Sequence, residues 1–185
     1  MQGNRSRVVI LAALITVTAI AVAQDKKPLS PPGQASLKFA DGHTVTIDYS
    51  RPSMRNRKIF GGLVPFDQVW RTGANAATSL KTDVDLNIGG TSVPAGSYTI
   101  YTLPGMSNWQ LIVNKQTGQW GTEYSQGQDL ARIPMRVTQR PSGLETFTIS
   151  FDKTGANAAV LKLEWENTSP PSTCRRRSSG WEPGV

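Results

Sequence analysis

The chain has 185 residues, with 20 Lys and Arg against 13 Asp and Glu, one His, one Cys and a formal net charge of +7. A single cysteine excludes an internal disulfide, and a single histidine excludes a multi-histidine metal site, so burial alone must hold the fold. Most of the positive charge lies at the two ends, which removes the case for a nucleic-acid partner.

At the start, Arg5 and Arg7 precede an apolar run, and Ala21-Val22-Ala23 forms a small-residue cleavage site before Gln24. The run from Val8 to Ala23 is 16 residues, about 24 Å as a helix, short of the ~30 Å hydrocarbon core. Residues 1–23 are therefore expected to be a cleaved signal peptide. The product is expected to be exported, periplasmic or secreted, and to keep no membrane anchor. No cysteine follows the apolar run to carry a lipid. Cleavage leaves 162 residues at +5, the size of one ordinary domain.

Residues 24–34 read as a flexible leader. From Ala35 the hydrophobic period is two. In His43–Tyr49, Val45, Ile47 and Tyr49 share one face, and Thr44, Thr46 and Asp48 the other. Leu37-Lys38-Phe39 lies ahead of Asp41-Gly42, a pair that tolerates the positive φ of a tight turn, so 35–49 is predicted to be a hairpin. Further short runs follow at 78–82, 84–88, 97–103, 109–114, 132–137, 144–151 and 159–166. Between them stand turn formers such as Gly89-Gly90, Pro104-Gly105, Thr117-Gly118 and Pro141-Ser142-Gly143. Trp109 and Trp165 fall on the apolar alternation and are predicted to be core. About nine strands with one apolar face each require two sheets packed face to face or one sheet closed on itself. The expected fold over 35–168 is a single antiparallel β-sandwich, with a closed barrel as the alternative. No long amphipathic helix is predicted, and Val64–Trp70 offers one turn at most, with Pro65 at its start. After Thr168 the composition loses its periodicity. Residues 169–185, with Arg175, Arg176 and Arg177 against Glu182, read as a disordered basic tail of charge +2 that carries Cys174. The body between these ends is left with +3, an ordinary surface charge.

Lys58–Thr78 is the most specific stretch. It holds Gly61, Gly62, Pro65, Trp70, Arg71, Gly73 and Asn75 between two strand-like segments, which suggests a held surface loop. Arg51, Arg55, Arg57 and Lys58 lie within eight residues without an acid among them. Guanidinium forks suit carboxylate, phosphate or sulfate, and indole faces suit sugars or cations. Arg51, Lys58, Trp70, Arg71, Asn75 and, beyond the Thr117-Gly118 turn, Trp120 are the candidate ligand-binding residues. A structural reading competes: Trp70 as a plug at the end of the core, Arg71 bonded to loop carbonyls, Trp120 covering a sheet edge.

No motif for familiar chemistry survives. Asp83, Asp85 and Asn87 open like a calcium loop, but Ile88 and Pro94 stand where Gly and Glu are needed. Ser150 and Lys153 have a nucleophile spacing that belongs on a helix, and here they lie at a strand end. His43 follows a turn as a solvated strand start. No catalytic residue, metal ligand or cofactor is assigned.

The runs Y-S-R-P-S at 49–53, R-K-I-F-G-G-L-V-P-F at 57–66, V-W-R-T-G-A-N at 69–75, V-P-A-G-S-Y at 93–98, N-K-Q-T-G-Q-W-G at 114–121 and L-E-W-E-N-T at 163–168 resemble the bacterial domain of unknown function 2911. That resemblance implies an exported β-rich protein and brings no established activity. It also implies Glu after the asparagine, where this chain has Ala76, and one more short apolar strand after W-E-N-T, which the tail composition does not suggest. The expected function is an exported binding or interaction domain for an anionic or carbohydrate-like ligand or an envelope protein. The alternatives are an envelope hydrolase or transferase in the same loop pocket, and a structural accessory domain.

Overall fold

A computed structural model describes residues 29–177. Eleven antiparallel strands form two sheets. The first sheet has the order β1-β2-β3-β6-β7-β8, built from Pro32–Lys38, Thr44–Ser50, Thr78–Thr82, Gly96–Leu103, Asn108–Asn114 and Asp129–Arg136. The second has the order β5-β4-β11-β10-β9, built from Thr91–Val93, Leu86–Ile88, Pro171–Arg176, Ala158–Thr168 and Gln139–Gly155. The sheets stay separate, so the architecture is the sandwich and not the closed barrel.

The period-two pattern acts as expected. In the first hairpin Leu37 faces Val45 and Ala35 faces Ile47, all four buried, and Gly42 turns the chain at φ 94°. Inward residues of both sheets form one core in which Trp109, Trp165, Phe147, Ile47, Leu80, Leu86, Ile100, Leu111 and Leu161 lose essentially all solvent contact. Strand β6 departs from alternation: Tyr98–Thr102 are buried on both faces. Its outer face is covered by the 115–125 loop, where Thr99 Oγ1 donates to the Gln116 carbonyl (2.7 Å) and Gln119 Nε2 donates to Tyr101 Oη (3.1 Å).

Three expectations are corrected. The leader is shorter, because Pro32–Gln34 already belong to β1 and pair with Asp48–Ser50. The one-turn helix at Val64–Trp70 is absent; that stretch is turns and isolated bridges. The disordered tail does not begin at Ser169, since Pro171–Arg176 form β11 between β10 and β4. Ser172 and Cys174 point inward and are buried, which supplies the strand that W-E-N-T was expected to lack. The signal peptide assigned to 1–23 and residues 178–185 lie outside the described residues. Among the described residues no helix is long and apolar enough to cross a membrane.

Burial pushes the Cys174 thiol from 9.0 up to about 12. Below pH 9 the thiol keeps its proton whether the chain is folded or not. Above that only the unfolded chain ionises, so stability falls between about pH 9 and 12. Tyr98, Tyr101 and Tyr124, pushed up chiefly by burial, act in the same direction. Urea midpoints measured from pH 8 to 11 should decline. At pH 8 a disulfide-exchange reagent should leave native Cys174 untouched and titrate one thiol per chain in urea.

Candidate functional site

The connection from Arg51 to Ala77 has no strand of its own and runs over one end of the sandwich. Its backbone is held by the sheets it crosses. Met54 N–H donates to the Glu145 carbonyl (2.8 Å), Phe147 N–H donates to the Pro52 carbonyl (2.9 Å), and Trp70 pairs with Thr102 in both directions (2.7 and 2.9 Å). From β10, beside β9, the Glu166 carboxylate accepts the Ile59 N–H (3.0 Å) and the Phe60 N–H (3.2 Å). Among the described residues, five of the six non-glycine residues with positive φ lie in this connection: Arg55, Asn56, Asp67, Thr72 and Asn75. The sixth is Glu166. Thr72, β-branched and held at φ 55°, is the most strained of them. It is fully buried and fixed by Thr102 Oγ1 (3.1 Å) and Thr78 Oγ1 (2.9 Å).

Trp70 and Arg71 lie between these anchors. The Trp70 ring is half-buried, stacks on Trp165 (5.9 Å, 20°), and meets Phe147 (5.0 Å) and Phe60 (6.2 Å) edge to face. Arg71 is also half-buried. Its Nε is fully covered and has no hydrogen-bond partner among the described residues. Trp70 and Arg71 line two openings. One, about 330 Å³, is completed by Arg57, Leu63, Asn75 and Trp165. The other, about 200 Å³, is completed by Tyr101, Thr122 and Tyr124. Among the described residues neither lining contains a carboxylate, histidine, cysteine or lysine.

Of the six predicted ligand residues the structure thus brings Trp70, Arg71 and Asn75 together. Arg51 is spent on β9, with Nε donating to the Phe147 carbonyl (3.4 Å) and Nη2 to Thr148 Oγ1 (3.2 Å). Lys58 is exposed and lines neither opening. Trp120 is 52 % exposed and bridges Ala76 through its backbone, so it neighbours the smaller opening without lining it. Arg57 Nε and Nη2 are directed to the Met54 and Ser53 carbonyls (2.9 and 2.8 Å). Tyr101, Tyr124 and Leu63 were missed. Tyr101 sits in the strand pattern like any core residue, and only the covering loop turns its outer face into a wall. His43 stands at the far end of β2, exposed, with Nδ1 3.1 Å from Asp83 Oδ1. The Asp83 carboxyl is lowered, chiefly by the Thr44 N–H that it accepts. Among the described residues no three His, Cys, Asp or Glu side chains converge to hold a metal ion.

Fold and loop together define an antiparallel β-sandwich whose long β2–β3 connection builds an arginine- and tryptophan-walled cleft at one end. Residues 30–172 match the family model described as Protein of unknown function (DUF2911), and the chain belongs to that family. Neither the curated proteins nor the solved structures provide a match.

Gly121 is the sequence position on which the Arg71 wall depends most directly. A Cβ there would stand 2.5 Å from Arg71 Cδ and 2.7 Å from the Asn75 carbonyl oxygen, and that backbone atom cannot swing aside. Gly121→Ala should therefore destabilise the fold by about 1–3 kcal/mol, read as a lower urea midpoint with unchanged slope.

Proposed function

We propose that this protein is an exported binding domain that holds a small anionic ligand in the Trp70–Arg71–Asn75 cleft. The observation that carries this reading is the Arg71 guanidinium, half-buried with its Nε covered and, among the described residues, unpaired and in a lining without an acid. A covered guanidinium N–H without a partner is unfavourable, and a carboxylate, sulfate or phosphate arriving in the cleft would relieve it. Asn75 adds a neutral amide beside the guanidinium, and Leu63 and Trp165 add apolar wall for the body of such a ligand. This equipment suits holding rather than turnover, because a hydrolase working here would have to draw its general base from outside both linings. Trp120, exposed one residue from Gly121, favours an acidic or sulfated sugar over a bare anion, since an indole face can stack on a pyranose at the rim.

A thermal-shift series of uronic acids, sugar phosphates and sulfated disaccharides tests the reading. A true ligand at about 100 times its dissociation constant should add ~2.7 kcal/mol. Arg71→Ala should abolish the shift, and Arg71→Lys should keep only part of it, because an ammonium lacks the bidentate fork. A shift of equal size in Arg71→Ala places the ligand elsewhere. Export has its own check: N-terminal sequencing of protein recovered from the periplasm or medium should begin at Gln24.

A further inference from the structure

Behind the aromatic wall of that cleft lies a second and larger cavity of about 500 Å³ with the opposite electrostatic character. Met54, Phe60, Phe66, Met106 and Trp109 give it an apolar body. Glu166 is the only ionisable residue in its lining among the described residues, and Gln139, Asn167 and Thr168 add neutral polar groups around it. The two cavities stand back to back: Phe60 and Trp109, on this side, meet Trp70, on the other, edge to face at 6.2 and 6.5 Å.

The Glu166 carboxylate is positioned but not neutralised. The ladder between β9 and β10 slips on both sides of Glu166, passing from Glu164↔Thr148 to Glu166↔Leu144 to Thr168↔Gln139. At the slip Glu166 takes φ 52°, a conformation unfavourable for a glutamate, and such irregularities re-aim side chains. Two N–H groups fix the carboxylate, one on each oxygen, and each oxygen keeps a further lone pair. Its neighbour Glu164 is paired with Arg140, whereas Glu166 makes no ion pair among the described residues.

We infer that this cavity binds an organic cation: an ammonium or guanidinium group on an apolar body, the charge at Glu166 and the body among the rings and thioethers. Phe60 and Trp109 line the apolar body of the site, and the thioethers of Met54 and Met106 adapt to a ligand's shape. The inference does not rest on the Arg71 cleft and takes a ligand of opposite sign.

The test uses three probes of similar size, benzyltrimethylammonium, benzyl alcohol and benzenesulfonate, titrated by calorimetry against the purified protein. Benzyltrimethylammonium should bind saturably, and the neutral and anionic probes at least about tenfold more weakly. Glu166→Gln, with an unchanged circular dichroism spectrum, should lose at least about tenfold in affinity for the cation alone. If that variant fails to fold, Met106→Lys decides. Residue 106 is 81 % exposed at the mouth, so the added positive charge spares the core and should weaken the cation by repulsion. Arg71→Ala should leave cation binding unchanged, which separates this site from the first. No binding of benzyltrimethylammonium at millimolar concentration, or equal affinity for all three probes, overturns the inference. So does cation binding unaltered by both Glu166→Gln and Met106→Lys.

Discussion

The structure depends on how 27 residues without a strand, Arg51 to Ala77, satisfy their backbone over a buried aromatic end. An unpaired N–H or C=O shielded from water costs about as much as a lost hydrogen bond, so the connection must borrow partners from the sheets. It borrows from both. Strand β9 serves Pro52 and Met54, Thr102 at the end of β6 serves Trp70, and the Glu166 carboxylate serves Ile59 and Phe60. Through these bonds the connection laces the two layers together, and it is what makes this end of the sandwich a shaped surface.

Under the connection lies a cluster in which Trp70, Trp165, Phe147, Phe60 and Trp109 meet mostly edge to face, with only Trp70 and Trp165 stacked. Each such pair adds about 0.5–1.5 kcal/mol beyond the area it buries. That supports the left-handed backbone at Thr72 and Asn75, which would otherwise relax. Ring contacts of Trp70 with Phe60 and Trp109 also stand between the arginine-lined cleft and the glutamate-lined cavity.

The opposite margin is closed by other means. Strand β11 fills the space between β10 and β4 and covers edges that would otherwise invite pairing with another chain. Cys174 contributes as a small apolar group, and its burial makes it chemically quiet. Arg176 meets Asp41 (2.9 Å), tying this last strand to the first hairpin turn. The arginine run that reads as an unpartnered tail is therefore partly structural.

Alternation was legible because it is local: Val45, Ile47 and Leu161, Leu163 must face one way whatever lies opposite, so sequence alone marked most strands and turns and narrowed the fold to a sandwich or a closed barrel. It also marked Trp70, Arg71 and Asn75 as unusual, since a strandless run rich in glycine and aromatics needs a reason. Sequence could not show that Arg51 is consumed by β9, that Lys58 points to solvent, or that Ser172 and Cys174 lie inward in a short polar strand, because Arg51 finds its partners 96 and 97 residues along the chain and β11 needs β4, with Cys174 opposite Ile88, to complete its place in the sheet. Nor could it reveal Glu166, whose role arises where a slipped ladder turns its carboxylate to the Ile59 and Phe60 amides. Side-chain direction follows from neighbours in sequence, whereas which charges stay unpaired follows from neighbours in space, and only the packed sheets decide that.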